Sequence, residues 1–233
     1  MGRIVAIAGG NLSSTREINI HTIKLTNCTN PNILFIGTAS HDDEGYIESI
    51  TKEFNFLNCE VRTLCLCTKE YTNKDIDSIL SWANIIYVGG GNTIFMMQIW
   101  KQHRLDEKLK KIYENDSAVL TGISAGAICW FNCGHSDSKS FRKEETWNFC
   151  WANEMLDFFH IAYCPHYNGD GRHSFDEMLA QKNIPGLAME DDTAFVENNG
   201  KQYFIRSNPN ANAYNIQYIN GIMIKQKIKF EII

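Results

Sequence analysis

The stretch Ala118-Val119-Leu120-Thr121-Gly122-Ile123-Ser124-Ala125-Gly126-Ala127-Ile128-Cys129-Trp130 runs from apolar residues into Gly-x-Ser-x-Gly and out into small residues. That order predicts a buried strand, a sharp turn and a helix start, the context in which a serine becomes an exposed nucleophile. Backbone approaches closely on both sides of such a turn, which glycine permits, and Gly122 and Gly126 supply the room. The helix that follows aims its first amides and positive dipole end at developing negative charge. A serine alone is inert at neutral pH, so a base and an orienting acid are sought elsewhere in the chain.

Outward from this turn, the runs Ile4–Ile7, Ile33–Ile36 and Ile85–Val88 are, like Ala118–Thr121, apolar throughout. Such runs fit strands covered on both faces. Between them Tyr46–Leu57 and Asp75–Trp82 carry apolar residues at helical spacing. The alternation predicts an α/β fold, a three-layer sandwich built on a mostly parallel sheet. After about residue 185 the texture changes to Thr193–Val196, Tyr203–Ile205, Ala213–Ile219 and Ile222–Ile232, separated by Asn198-Asn199-Gly200 and Asn220-Gly221. Asn and Gly tolerate positive φ, so these are hairpins, and the C-terminal fifth is expected to be antiparallel strands added to, or packed beside, the main sheet.

With 233 residues, 44% of them hydrophobic, the chain can close one sizeable core, and no linker or repeat divides residues 1–233. The net charge of −5, without blocks of like charge, disfavours a nucleic-acid partner. The apolar run Ile4–Ala8 is too short for a secretory core, and no stretch reaches the roughly 18 apolar residues of a membrane span. A cytoplasmic protein without membrane attachment is expected. The eight cysteines are spread through a chain that needs no staples, and Cys65-x-Cys67 and Cys129-x3-Cys133 lack a second ligand pair at zinc spacing. Free thiols and no structural metal are expected.

Ile85–Val88 ends in Gly89-Gly90-Gly91 before Asn92 and a helical stretch from Thr93. Three glycines at a strand end invite close approach to the backbone, as in an oxyanion hole. Neither the P-loop nor the dinucleotide spacing is met. Of seven histidines, His166 follows the apolar run Phe158–Cys164, which places it at a strand's carboxyl end, where open α/β sheets build their sites. His21 and His103 read as solvated and His160 as a core residue, while His135 and His173 remain rivals for the base. Glu190-Asp191-Asp192 ends another apolar run, and Asp137 lies 13 residues after Ser124. Each of these carboxylates is a candidate to hold an imidazole.

Taken in order, Gly89-Gly90-Gly91-Asn92-Thr93, Gly122-Ile123-Ser124-Ala125-Gly126-Ala127, Pro165-His166-Tyr167, and Gly186-Leu187 ahead of Glu190-Asp191-Asp192-Thr193-Ala194 resemble the peptidase E family of serine peptidases, which includes aspartyl dipeptidase and cyanophycinase. The resemblance spans almost the whole chain. It implies a fold similar to class I glutamine amidotransferases and a Ser-His-Glu triad of Ser124, His166 and Glu190, with Asp191, Asp192 or Asp137 as alternative acids. It also implies oxyanion donors at Gly91 and Ala125, with Gly90 close by. The implied activity is an exopeptidase acting on short peptides, a dipeptidase preferring N-terminal aspartate, with no cofactor. Arg172 resembles the family's substrate-carboxylate partner, a role that suits a guanidinium, and Asn92 is a second substrate-binding candidate. The alternatives are a cyanophycinase-like hydrolase of β-aspartyl-arginine peptides, with the acidic cluster meeting arginine, and a binding module without turnover.

Overall fold

The computed structural model describes residues 2–141 and 148–233. Its first half comprises β1 (Arg3–Ile7), α1 (Arg16–Lys24), β2 (Asn32–Ile36), α2 (Glu44–Phe56), β3 (Glu60–Leu64), α3 (Asn73–Trp82), β4 (Ile85–Val88), α4 (Thr93–Gln102) and α5 (Leu105–Glu114). There follow β5 (Val119–Ile123), α6 (Ala125–Ile128), β6 (Phe131–Ser136), β7 (Cys150–Ala152), β8 (Phe159–Cys164), α7 (Ser174–Leu179) and β9 (Gly186–Met189). The chain continues through β10 (Thr193–Asn198), β11 (Lys201–Arg206), β12 (Ala213–Ile219) and β13 (Ile222–Lys227).

Among the described residues these strands form two sheets. The first has the order β11-β10-β1-β5-β4-β2-β3, and its five strands from β1 to β3 in that order are mutually parallel. β10 and β11 are antiparallel additions at its edge. Alternating side chains explain why its strands read as apolar throughout. In β1, Ile4 and Ala6 enter one core while Val5 and Ile7 enter the other, and β2 and β4 divide in the same way. Ile18 of α1 with Ile50 and Phe54 of α2 cover the Val5 face. Apolar residues of α3, α4 and α5 cover the opposite face.

The second sheet, ordered β13-β12-β9-β8-β6-β7, packs beside the first through a shared core. β6, β8 and β9 are parallel, and β7, β12 and β13 are antiparallel. Its strands β8 and β9 are the runs Phe158–Cys164 and Ile184–Met189, which need cover on both sides. Phe131, Phe159, Tyr163 and Leu187 join the core shared with the first sheet, whereas Ala162, Cys164 and Ala188 pack with Phe175 and Leu179 of α7. Only half of the C-terminal strands therefore join the main sheet, because β12 pairs with β9. Both hairpins turn where expected, with φ of 52° and 96° at Asn199 and Gly200 and 51° and 77° at Asn220 and Gly221.

All eight cysteines are free, and all but Cys28 and Cys67 are buried. No helix among the described residues is long and apolar enough to cross a membrane.

Candidate active site

Ser124 ends β5 and opens α6 with φ 56° and ψ −114°, a strained conformation for a residue with a side chain. The flanking glycines make the turn. A Cβ on Gly122 would overlap the Gly126 carbonyl, and one on Gly126 would overlap the Val88 carbonyl. The hydroxyl is thereby lifted to the carboxyl edge of the first sheet.

The second sheet brings its own strand ends to the same place. β8 and β9 are parallel neighbours with Cys164 opposite Ala188, so His166 emerges beside the turn formed by residues 190–192. His166 Nε2 lies 2.6 Å from Ser124 Oγ, and its Nδ1 lies 2.7 Å from Asp191 Oδ1. A carboxylate only accepts, so Nδ1–H donates to Asp191 and the bare Nε2 accepts from the Ser124 hydroxyl. The imidazole bond holds the Asp191 carboxyl below its ordinary range, against an opposing effect of burial.

Asp191 occupies the place expected for Glu190. Consecutive residues of extended chain point to opposite sides, and Glu190 turns away to accept from the backbone and side-chain N–H groups of Asn212 at 2.8 and 3.2 Å. Asp192, at φ 63°, accepts from the Ser14 hydroxyl. Asp137 faces Arg172 at 3.5 Å. Asp191 is itself steadied by Asn168, whose Oδ1 accepts its backbone N–H at 3.0 Å. Gly9, just past β1, lies against the pair so closely that a Cβ there would overlap both Asp191 Oδ1 and His166 Nδ1.

Of the three expected oxyanion donors, Gly91 and Ala125 carry backbone N–H groups with no hydrogen-bond partner among the described residues. The Gly90 N–H is already tied, donating to the Tyr46 hydroxyl at 3.3 Å. Gly91 sits at φ 136°, and a side chain there would run into the Ala39 carbonyl. Asn92 is committed to the fold, since its Oδ1 caps α4 at the Phe95 N–H and its Nδ2 donates to the Ser138 carbonyl.

Arg172 is buried at 7% exposure and not held open to solvent. Its guanidinium donates to the His135 carbonyl at 3.0 Å, meets Asp137 at 3.5 Å, and lies over the Phe149 ring. Two residues expected to meet substrate or base thus meet each other. His135 is fully buried, with Nε2 on Ser174 Oγ at 3.0 Å, and burial and the Arg172 charge push its pKa down to about 3. It is the core histidine. His160, expected in that role, is exposed beside Asp157 at the start of β8, ahead of Ala162 and Cys164, which are the buried positions on that face. His173 packs edge-on against Tyr167.

Gly9, Asn168 and Tyr46 were not among the sequence candidates. Gly9-Gly10 at the end of the first strand was the available signal, since paired glycines there mark close approach as surely as those at Gly89–Gly91. Among the described residues no group of three or more His, Cys, Asp and Glu side chains is arranged to hold a metal ion. A hydroxyl, an imidazole and a carboxylate in line beside two free amides are the parts needed for acyl transfer through a serine.

The sequence pattern of Peptidase family S51 matches residues 4–205. The chain belongs to peptidase family S51. This S51 member is a serine-type peptidase, and it is 31% identical to the uncharacterized peptidase YgaJ of Bacillus subtilis (strain 168) over 223 residues, 93% of this chain and 92% of that one. Its fold is similar to that of a putative peptidase E protein from Listeria monocytogenes EGD-e, with a TM-score of 0.67 at 18% identity over 88% of this chain and 98% of the other. A peptidase from an acI-B1 Actinobacterium matches with a TM-score of 0.69 at 18% identity, over 99% and 95% of the two chains.

Proposed function

We propose that this S51 peptidase hydrolyses short peptides through Ser124, His166 and Asp191, with an acyl-enzyme intermediate. The observation that carries the reading is the unbroken chain from Ser124 Oγ through His166 to Asp191, at 2.6 and 2.7 Å. His166 Nε2 takes the Ser124 proton as the oxygen attacks the scissile carbonyl. The Gly91 and Ala125 N–H groups hold the resulting oxyanion. The protonated imidazole then gives its proton to the leaving amine, and the C–N bond breaks to leave the Ser124 ester. Water, deprotonated by the same nitrogen, attacks that ester, and the acid product and free serine are released. Asp191 keeps the ring in the required tautomer and stabilises the imidazolium. One oxyanion donor in comparable enzymes is worth roughly 2.7–4 kcal/mol.

The finer reading is an exopeptidase, a dipeptidase taking N-terminal aspartate, acting on small peptides in the cytoplasm. It rests on the resemblance to peptidase E and on Arg172, which acts electrostatically on Asp191. Its guanidinium is shared with Asp137, so a substrate carboxylate must compete for it. A β-aspartyl-arginine substrate is less favoured, because Glu190, Asp191 and Asp192 each already serve a partner inside the fold.

The test is release of products from Asp-Leu, Ala-Leu, Leu-Asp, N-acetyl-Asp-Leu and β-Asp-Arg by wild type and Ser124→Ala. Selective turnover of Asp-Leu that vanishes in the variant supports the full reading. Equal cleavage of Ala-Leu keeps the peptidase and removes the aspartate preference. Turnover of N-acetyl-Asp-Leu removes the need for a free N-terminus.

A further inference from the structure

We propose that Tyr46 is a positioning residue for the oxyanion donors, an inference that rests on the hydrolytic reading above. Tyr46 stands in the first turn of α2, where the N-cap Asp43 accepts its backbone N–H at 2.7 Å and fixes the start of the helix. Its ring lies edge-on to Phe35, with centroids 5.2 Å apart. The ring also covers Gly89, where a Cβ would come within 2.9 Å of Tyr46 Cε1. From that seat the phenol oxygen accepts the Gly90 N–H at 3.3 Å.

The tethered residue faces the nucleophile, since a Cβ on Gly90 would lie 3.4 Å from Ser124 Cβ. On the far side of Gly91, the Asn92 N–H donates to the Ala39 carbonyl at 2.8 Å. The Gly91 N–H is therefore an untied amide between two tied ones, Gly90 held by Tyr46 and Asn92 by Ala39. Consecutive glycines have no side chains to resist rotation, so their orientation must come from such ties. A donor stabilises a transition state only as far as it is already aimed at the developing charge. Releasing the Gly90 N–H lets the Gly90–Gly91 peptide turn and draws the free N–H off its target. Burial pushes the phenol up, so it remains a neutral acceptor over the working pH range.

Tyr46→Phe removes only the oxygen and keeps the ring on Phe35 and Gly89. The experiment measures kcat, KM and Tm for wild type, Tyr46→Phe and Ser124→Ala on the best peptide of the panel. It also measures affinity for a peptidyl trifluoromethyl ketone, which adds to a serine and mimics the tetrahedral intermediate. The expected result is a fall in kcat on the order of tenfold, with KM within about twofold and the ketone weakened by the same factor as kcat. Tm should stay within about 2 °C of wild type, because the packing is retained. Ser124-dependent turnover with an unchanged kcat in Tyr46→Phe, or a loss confined to KM, overturns the inference and leaves the hydrolytic reading standing. A wild type without Ser124-dependent turnover overturns both.

Discussion

Ser124 holds a backbone conformation that a side chain resists, at φ 56° and ψ −114°. Strain of this kind costs on the order of 1–3 kcal/mol and persists because the surrounding turn imposes it. Ser124→Gly relieves it while Ser124→Ala retains it. The glycine variant is expected to be more stable than the alanine variant by about 1 kcal/mol in urea unfolding, with both inactive. Gly9 makes the opposite case. A methyl group there displaces the His166–Asp191 contact, so Gly9→Ala should lower kcat at least about tenfold while the protein still folds, read by steady-state kinetics and circular dichroism.

The choice among adjacent carboxylates is also a residue-scale matter, and the sequence left it open, with Asp191 and Asp192 standing beside Glu190 as alternatives. Glu190-Asp191-Asp192 offers three acids with nothing in composition to rank them. The decision belongs to the direction each side chain takes after β9 and to Asn212, 22 residues away, which draws Glu190 aside. Ser124 and His166 were legible because strand, turn and glycine spacing are local properties. Tyr46 was not, since its meeting with Gly90 joins residues 44 apart.

At the scale of elements, the strands of the first sheet and the two Asn-Gly hairpins could be read directly, because continuous apolar runs and positive-φ residues are written in the chain. The partner of each strand was not. Phe158–Cys164 and Ile184–Met189 look like strands of any parallel sheet, and only the separate core around α7 shows why they form a second one. Asn92 illustrates a similar ambiguity. In the sequence it stands with Arg172 as a substrate-binding candidate, and its side chain caps α4 and holds the Ser138 carbonyl. Asn92→Ala is expected to destabilise the fold by about 1–2 kcal/mol, measured by urea unfolding, as the loss of a helix cap does.

On the scale of the whole molecule, the site exists because two sheets deliver their strand ends to one edge: Ser124 from the first, His166 and Asp191 from the second. Phe131 sits between them, stacked on Tyr163 with centroids 4.2 Å apart and touching Phe195 at 5.9 Å. Phe131→Ala should cost about 3–5 kcal/mol in unfolding free energy. The buried His135 gives the fold a pH dependence of definite sign. Its pKa falls from 6.5 to about 3 on folding, so the unfolded chain binds the extra proton between those values. Its contribution is complete above about pH 6.5 and is lost progressively as pH falls toward 3. The urea midpoint should decline over that window, and His135→Gln should flatten the decline.

The most direct measurement is kcat for Asp191→Asn beside Glu190→Gln, on a peptide that wild type cleaves and Ser124→Ala does not. Asp191→Asn should fall by about 10³- to 10⁴-fold, because an amide favours the wrong imidazole tautomer and cannot stabilise the imidazolium, while Glu190→Gln stays within a few-fold of wild type. A collapse of activity in Glu190→Gln with Asp191→Asn near wild type would contradict the Ser124–His166–Asp191 assignment and return the acid's role to Glu190.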